Sequence, residues 1–592
     1  MESFPQSIFA VPLILIVYTI YRQWTRISVA DVPGPEPESF LLGCLPEMLQ
    51  SQVAQADFKW QARFGHVVRV KGILGSDRLL ISDPKAIQYI YNSGHNIRKQ
   101  GFRSELTRVI TGPGLAWANN EIHRRQRKVN SAAFGTNEAR SYVPIFVAYA
   151  SVKGKLITTP SSHHRHWDQL STQWKELLAI DMSAVVNTPR WFSRFFLDVI
   201  GEVAFDYQFS ATDDEDDPFA IALSSVAPGL TIPSKLAIFI LALVEFLPPK
   251  MIHLFMEYAP VKALQNSRRV TRIAVGVAKD LVDEKAEALI AGKGKRDIMS
   301  LLVKANASAN LRMNLSETEM LAQMQTIMQA GHETTANTLS WTMFELTQHP
   351  DVQSKLRAEI RVAESAMHAR GATEFTYVDF EAMPYTVAVM KETLRFHPVA
   401  YSSVREAARD EVLPLSTPIV TKSGKTITEL PIPKDMILVI SNAGYNRLDA
   451  QVFNPERWLN GTVQTTTSVG VYGNLMTFGS GHRACIGWRI AVYEYQAFLV
   501  ELRKVTLVAQ FMGSTATVAA PDGEEVTVTL LPDTHMAPDA YYEVIGSVVN
   551  PTTIKMYQCI DMGTNLDMKL VDDTIKLMHD QRFYAKMFSP GD

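Results

Sequence analysis

The sequence predicts a mainly α-helical protein with a small β region and an N-terminal transmembrane helix. Three observations predict it. Helical periodicity dominates from about residue 120 to 400 and includes a stretch from Ser316 that meets no proline until Pro350. Short apolar runs broken by turn residues fill 40–110 and return between Pro414 and Leu438. The segment Phe4–Tyr21 is a nearly unbroken apolar run, interrupted mainly by Gln6, Ser7 and two prolines.

The N-terminal run is just long enough to span a bilayer, which takes roughly 20 residues and about 17 at least. Glu2 precedes it, and Arg22 and Arg26 follow it. The bias of positive charge toward the cytosol then places the body on the cytosolic side. Ser28 and Ala30 would suit a signal-peptide cleavage site, but no positive charge precedes the apolar core. An uncleaved anchor over 1–26 is therefore expected. The proline-rich "VPGPEP" that follows makes 27–39 a stiff hinge.

With 592 residues, 46% of them hydrophobic, the chain has ample material for a packed core. A net charge of −3 offers no basic excess, so no nucleic-acid partner is expected. The three cysteines, Cys44, Cys485 and Cys559, are too few and too scattered for a disulfide framework or a zinc site. A reducing compartment follows.

Along the body, "HVVRVKGIL" and "RLLISDP" read as strands. "HHRH" (163–166) and "DDEDD" (213–217) read as solvated loops rather than metal sites. "KLAIFILALVEFLPPK" (235–250) is too short to span a bilayer; it is either a core helix or an apolar element that dips into the membrane. Ser316 with Glu319 three residues on forms a capping box, and the helix it opens far exceeds the usual 11–12 residues or so. A helix that long, apolar on most faces, belongs in the middle of the protein. "KSGK" reads as a hairpin turn between the later strands.

The chemistry gathers around "FGSGHRACIG" (478–487). A lone buried cysteine is usually apolar filling. Here Gly481 and Gly487 permit a tight loop that aims backbone N–H groups at sulfur. Arg483 lies two residues before Cys485, and the helical pattern after Gly487 places a positive dipole end beside the thiol. Phe478 is placed to stack against a flat ring.

These residues match the haem-binding signature Phe-x-x-Gly-x-Arg-x-Cys-x-Gly, and the chain resembles the cytochrome P450 family over about residues 30 to 535. Three further stretches appear in the family's order: "AGHETT" (330–335), "KETLRFHP" (391–398) and "FNPERW" (453–458). The segment between "YNRLDA" and "FNPERW" is shorter than the family norm, and the tail after Pro538 is longer. Other stretches look like eukaryotic, fungal, microsomal members.

The resemblance implies haem b held by the Cys485 thiolate. Ala330 and Gly331 would let a diatomic ligand approach the long helix, and Glu333 and Thr334 match the acid–alcohol pair that manages protons. Taken alone, that pair reads equally as helix polar groups bonded to their own backbone. The resemblance makes Glu392, Arg395 and Arg457 a buried structural triad. It makes His123, Arg127, Arg405 and Arg483 the partners of the haem propionates. His397, Arg124, Arg125 and Lys128 are expected to be structural or surface residues, and the basic ones also suit an acidic reductase.

The function so implied is insertion of one oxygen atom from O2 into a hydrophobic small molecule, a terpenoid or other specialised metabolite. Electrons would come from NADPH through the cytochrome P450 reductase, with a monomeric enzyme on the endoplasmic reticulum membrane. Two alternatives stand beside it: a haem-thiolate isomerase or dehydratase, against which the acid–alcohol pair weighs, and a non-catalytic membrane-tethered haem-binding protein. The monooxygenase domain is placed at 40–538, and 539–592 is an extension to which the sequence assigns no role.

Overall fold

The computed structural model describes residues 27–94, 96–150, 183–186, 188–207, 209, 211, 234–293, 296–308, 314–448, 451–461, 467–501, 505–510, 513–519 and 525–530. The anchor over 1–26, the "HHRH" and "DDEDD" stretches, Cys559 and the extension 539–592 lie outside the described residues. Among the described residues no helix is long and apolar enough to cross a membrane.

The architecture is mainly helical with small sheets at its periphery. Helices of eight residues or more are α1 (Gln55–Phe64), α2 (Pro84–Asn92), α3 (Gly101–Thr111), α4 (Asn120–Asn130), α5 (Val143–Ala150), α6 (Thr188–Phe205) and α7 (Lys235–Val244). They continue with α8 (Pro249–Tyr258), α9 (Lys262–Ile290), α10 (Ile298–Ser308), α11 (Glu317–Gln348), α12 (Pro350–Ala369), α13 (Pro384–Phe396) and α14 (Trp488–Glu501). The largest sheet uses β1 (Val67–Lys71), β2 (Asp77–Ile81), β3 (Ile97–Lys99), β5 (Ser402–Ala407) and β8 (Ile437–Ser441) in the order β1-β2-β8-β5-β3. β6 (Glu411–Val420) and β7 (Thr426–Ile432) form the hairpin that "KSGK" turns. β9 (Gly470–Tyr472) pairs with β10 (Leu475–Ser480) ahead of the thiol loop. β11 (Val505–Gln510), β12 (Gly513–Ala519) and β13 (Glu525–Leu530) form an antiparallel meander, and β13 also pairs in parallel with β4 (Ser183–Val186).

α11 is the expected central helix. Ser316 caps it, accepting from the Glu319 amide while Glu319 accepts from the Ser316 amide. Most of its residues from Met320 to Thr347 are buried on every side. Several of its hydroxyls satisfy themselves locally: Thr326, Thr338, Ser340 and Thr342 each donate to the carbonyl four residues back. α6 packs along it, with Ile200 set against Gly331. A Cβ there would lie 2.6 Å from Ile200 Cγ1.

The proline-rich hinge is pinned to the body. Asp31 accepts from the Ser423 amide at 2.8 Å, the Arg69 amide donates to Pro33 O at 2.9 Å, and Val29 and Val32 are buried. The 235–250 stretch becomes α7, a turn and the start of α8. Ile238 and Ala242 pack against Leu45 and Ile73, whereas Leu236, Ile240, Leu241 and Phe246 are exposed.

Candidate active site

Cys485 sits in the loop between β10 and α14. Its amide donates to Phe478 O at 2.7 Å, which closes the loop into a tight hairpin over the sulfur. Gly481 makes the bend possible on two counts: its φ is +56°, and a Cβ would lie 2.8 Å from Tyr91 O and Asn92 Oδ1. The thiol is open to a cavity on one side and enclosed by protein on the others. Burial pushes its pKa up, while the Gly487 and Trp488 amides and the Arg127 charge pull it down. Those amides open α14, so the expected dipole end is where the sulfur needs it.

The cavity measures about 300 Å³ and joins the thiol loop to α11. Phe478, Cys485 and Gly487 line it from the loop, and Ala330, Gly331 and Thr334 line it from α11. Its remaining wall is apolar for the most part, with Phe134, Ile200, Met390, Leu394 and Val399 among its members. The structure thus brings Ala330, Gly331 and Thr334 to the thiol but leaves Glu333 out of the wall. Glu333 turns to His332, whose Nε2 is 3.6 Å from its Oε1. Burial acts to raise the Glu333 pKa, and the His332 hydrogen bond and charge outweigh it, leaving the carboxyl below its usual range. Thr334 Oγ1 donates to Ala330 O at 2.8 Å and keeps its lone pairs for the cavity.

Beside the loop lies a cluster of cations. Arg127 Nη1 donates to Ala484 O at 2.7 Å, and Arg483 donates to Ala118 O and Asn119 Oδ1. Arg405, on β5, lies over the Tyr91 ring. Lys99, on the neighbouring β3, donates to the carbonyls of Leu115, Ala116 and Ala118. His123 stands among them as a neutral imidazole: it is buried, and its pKa falls to about 3 through burial and the charges of Arg483, Lys99 and Arg127. Burial and Arg405 bring Arg483 down to about 10, and burial with the same arginines lowers Lys99. None of these five groups makes an ion pair with a carboxylate among the described residues. Arg483 Nε is buried with no acceptor. A crowd of cations without anions, ending in an orphaned guanidinium N–H, fits two propionates. The residues present therefore fit haem: sulfur with directed amides at one point, cations for the carboxylates at the rim, and an apolar space against α11.

Four of the five groups were read from the sequence. Lys99 was not, because "NIRKQ" carries no motif and only the β3–β5 pairing sets it beside Arg405. Of the basic residues on α4, Arg125 is spent internally on Glu319 and Asn314 O, whereas Arg124 and Lys128 are exposed.

The structural triad is assembled as expected, with additions. Glu392 is fully buried. It takes Arg395 at 2.8 and 2.9 Å and Arg457 at 3.0 Å, together with the Asn454 amide at 2.7 Å and Trp458 Nε1 at 2.9 Å. His397 is structural too: it stacks on Trp341 and bonds Glu345 Oε1 at 2.6 Å.

A further buried acid was not anticipated. Glu494, on α14, lines the same cavity and receives Thr335 Oγ1 at 2.7 Å. Burial pushes its pKa up to about 8, with the Thr335 bond opposing. Its position nine residues after Cys485 was the available signal, visible only once the helix face is known.

Residues 33–504 match the family model described as Cytochrome P450. Residues 500–584 match a second model, Replication factor A protein 3, so the two meet at the end of α14. Cytochrome P450 monooxygenase 91 of Postia placenta is 31% identical over 511 residues, covering 82% of this chain and 88% of that protein. Cytochrome P450 monooxygenase claQ of Ampulloclitocybe clavipes is 29% identical over 515 residues, covering 83% and 88%. The thiol loop, the central helix and the buried triad thus stand in a chain that belongs to the cytochrome P450 family of haem-thiolate monooxygenases.

Proposed function

We propose that Cys485 is the axial thiolate of a bound haem and that the enzyme oxygenates a hydrophobic small molecule in the cavity between the thiol loop and α11. The observation that carries this reading is the shared cavity: Cys485 and the small-residue face of α11 line one mostly apolar space. Haem bound there would supply the reductive activation of O2, with the thiolate donating electron density. The protein's own part is fourfold. Arg127, Arg405, Arg483, Lys99 and His123 anchor the propionates. The apolar wall excludes water and holds the substrate. Ala330 and Gly331 leave room beside α11. Thr334 holds a proton at Oγ1, and Glu333 resupplies it by turning from His332.

The remaining parts of the reading concern the surroundings. The apolar N-terminal run would anchor the chain in the endoplasmic reticulum membrane. The exposed apolar side of α7 and α8, with Leu236, Ile240, Phe246 and Leu254, would rest on the same bilayer. Arg124 and Lys128 would meet an acidic NADPH-dependent reductase. The fungal relatives favour a terpenoid or other specialised metabolite, by analogy of family alone.

For the C-terminal segment we propose a second module on the strength of the second family match, with its first strands β11–β12–β13 joined to the body through the β13–β4 pair. The boundary then lies near 504 instead of 538. Replication factor A modules of the OB class bind single-stranded nucleic acid. That ligand, which overall charge argued against, is accordingly proposed for this module alone.

The test of the main reading is spectroscopic and then chemical. The reduced, carbon-monoxide-treated protein should show a thiolate-type absorption band that Cys485→Ala abolishes. Co-expression with a reductase should give reductase-dependent oxygenated products from terpene scaffolds. An unchanged band in the variant defeats the ligand assignment.

A further inference from the structure

The wall of the haem-side cavity holds one acidic side chain among the described residues, Glu494 on α14. Its Oε2 accepts Thr335 Oγ1 at 2.7 Å, and its Oε1 takes no hydrogen bond among the described residues. No charged group acts on it there. The titratable groups of the elements around it are occupied elsewhere. Glu333 on α11 is turned to His332, Tyr149 on α5 is bonded to Glu202, and Glu392 and Arg395 on α13 hold each other. On α14 itself, Tyr493 is bonded to Glu381 and Tyr495 to Thr342. Burial therefore keeps the Glu494 carboxyl protonated at neutral pH, with its pKa at about 8.

The hydroxyls of the same wall have their protons committed. Thr326, Thr334 and Thr338 each donate to the carbonyl four residues back, Thr477 donates to Leu394 O, and Thr335 donates to Glu494. Thr342 donates to Thr338 O, so the Tyr495 proton goes to Thr342. Apart from the Cys485 thiol, the Glu494 carboxyl carries the one uncommitted proton of the wall among the described residues. Structure alone does not call for an acid here. A glutamine would accept from Thr335 equally well and would bury no ionisable group. A buried acid kept in a reaction cavity at that cost points to chemistry.

We propose that Glu494 is a second proton store for the oxygenation, beside Glu333. Two neighbouring alcohols of α11 are then each served by an acid. Thr334 has Glu333, which must turn from His332, and Thr335 has Glu494, which already lines the cavity. Placing one oxygen atom in the substrate and the other in water consumes one O2, two electrons from the reductase and two protons. Glu494 gives one of those protons from Oε1. The O–H bond breaks, its electron pair stays on the carboxylate, and the Thr335 hydroxyl holds the anion at Oε2. A proton from solvent, carried in by water, restores the acid. This rests on the proposed oxygenation in that cavity and adds the source of a proton to it.

The test uses the haem-loaded full chain without substrate. Infrared absorption of the wild type at pH 7 should show the C=O stretch of a protonated carboxyl. Glu494→Gln should remove that band, Glu333→Gln should keep it, and it should fade as pH rises through about 8. With reductase and NADPH, the ratio of peroxide released to water formed reports proton delivery, because carrying O2 through to water takes more protons than stopping at peroxide. Glu494→Gln should raise that ratio about tenfold, less than a sole positioned acid contributes, because Glu333 remains. Glu494→Asp should restore part of the wild-type ratio. The ratio should climb above pH 8 in the wild type and stay level in Glu494→Gln, a difference that loss of packing would not produce. The reduced carbon-monoxide band of each variant reports an intact haem pocket. Three results overturn the inference: no carboxyl band at pH 7 that depends on Glu494, an unchanged ratio in Glu494→Gln, or the same climb with pH in both proteins. Neither readout needs a substrate, so a failure to find oxygenated products is told apart from a failure of this inference.

Discussion

Glu392 on α13 and Glu494 on α14 are both sealed from solvent, at 0% and 2% exposure, yet they carry opposite charge states. Glu392 sits among two arginines, an indole N–H and a backbone amide. Burial acts to raise its pKa, and Arg395, the Asn454 amide and Arg457 outweigh it, so the carboxyl stays below its usual range. Among the described residues Glu494 has Thr335 alone, and burial wins. The lesson is that burial sets the cost of a charge and the partners decide whether it is met. One carboxylate is a fixed anion that ties α13 to the loop before β9. The other is a neutral acid at neutral pH, in the seam between α11 and α14.

The largest effect should come from breaking the ionised member. Glu392→Ala strands two guanidinium groups and should cost about 3–5 kcal/mol. Denaturant unfolding and the yield of haem-loaded protein measure it. A loss below about 1 kcal/mol would show that the network carries no charge of consequence.

The neutral member should reveal itself through pH. The folded pKa of Glu494 is about 8 against an unfolded 4.5, so between those values the folded chain holds one more proton. Its contribution is intact below the unfolded value and is lost as pH rises through the folded one. Glu494→Gln cannot pay that loss. The variant should therefore gain on the wild type by the order of a few kcal/mol between pH 5 and pH 8. Equal pH slopes for the two proteins would mean that Glu494 is ionised in the fold.

Two smaller changes sharpen the contrast. Trp458→Phe removes one donor from a carboxylate that has four others and should cost about 1–2 kcal/mol, read from the denaturation midpoint. Thr335→Val removes the only described donor to Glu494. Without that bond the neutral form is favoured further, so the pH at which the decline of stability ends should move upward, with a cost at neutral pH of about 1 kcal/mol. A downward move would show that Thr335 does not act on the carboxylate.

Much of this was legible because the motifs lie within single elements. "FGSGHRACIG" closes its loop through a bond between Phe478 and Cys485, both inside the motif. The cap at Ser316 and the Glu392–Arg395 pair are equally local. Lys99, Trp458 and Glu494 escaped because each works through a partner from another element: Arg405 beside Lys99 across β3 and β5, Glu392 on α13 for Trp458, Thr335 on α11 for Glu494. Glu333 was read from type and spacing, but its rotamer toward His332, which takes it out of the cavity wall, is a matter of packing.

What the sequence determined by itself is the chemistry on offer: a thiol among glycines, a long capped helix with an acid and an alcohol at its middle, and enough cations for two carboxylates. These depend on local spacing, which backbone geometry converts directly into shared faces and turns. What only the tertiary structure decided is the electrical state of that chemistry. Gly331 is seen to admit Ile200 as well as to clear the cavity, Arg125 is neutralised by Glu319, and Glu494 is left without a cation among the described residues. The physical reason is that desolvation and Coulomb energy depend on distances between elements far apart in the chain, and those are set only when the elements pack.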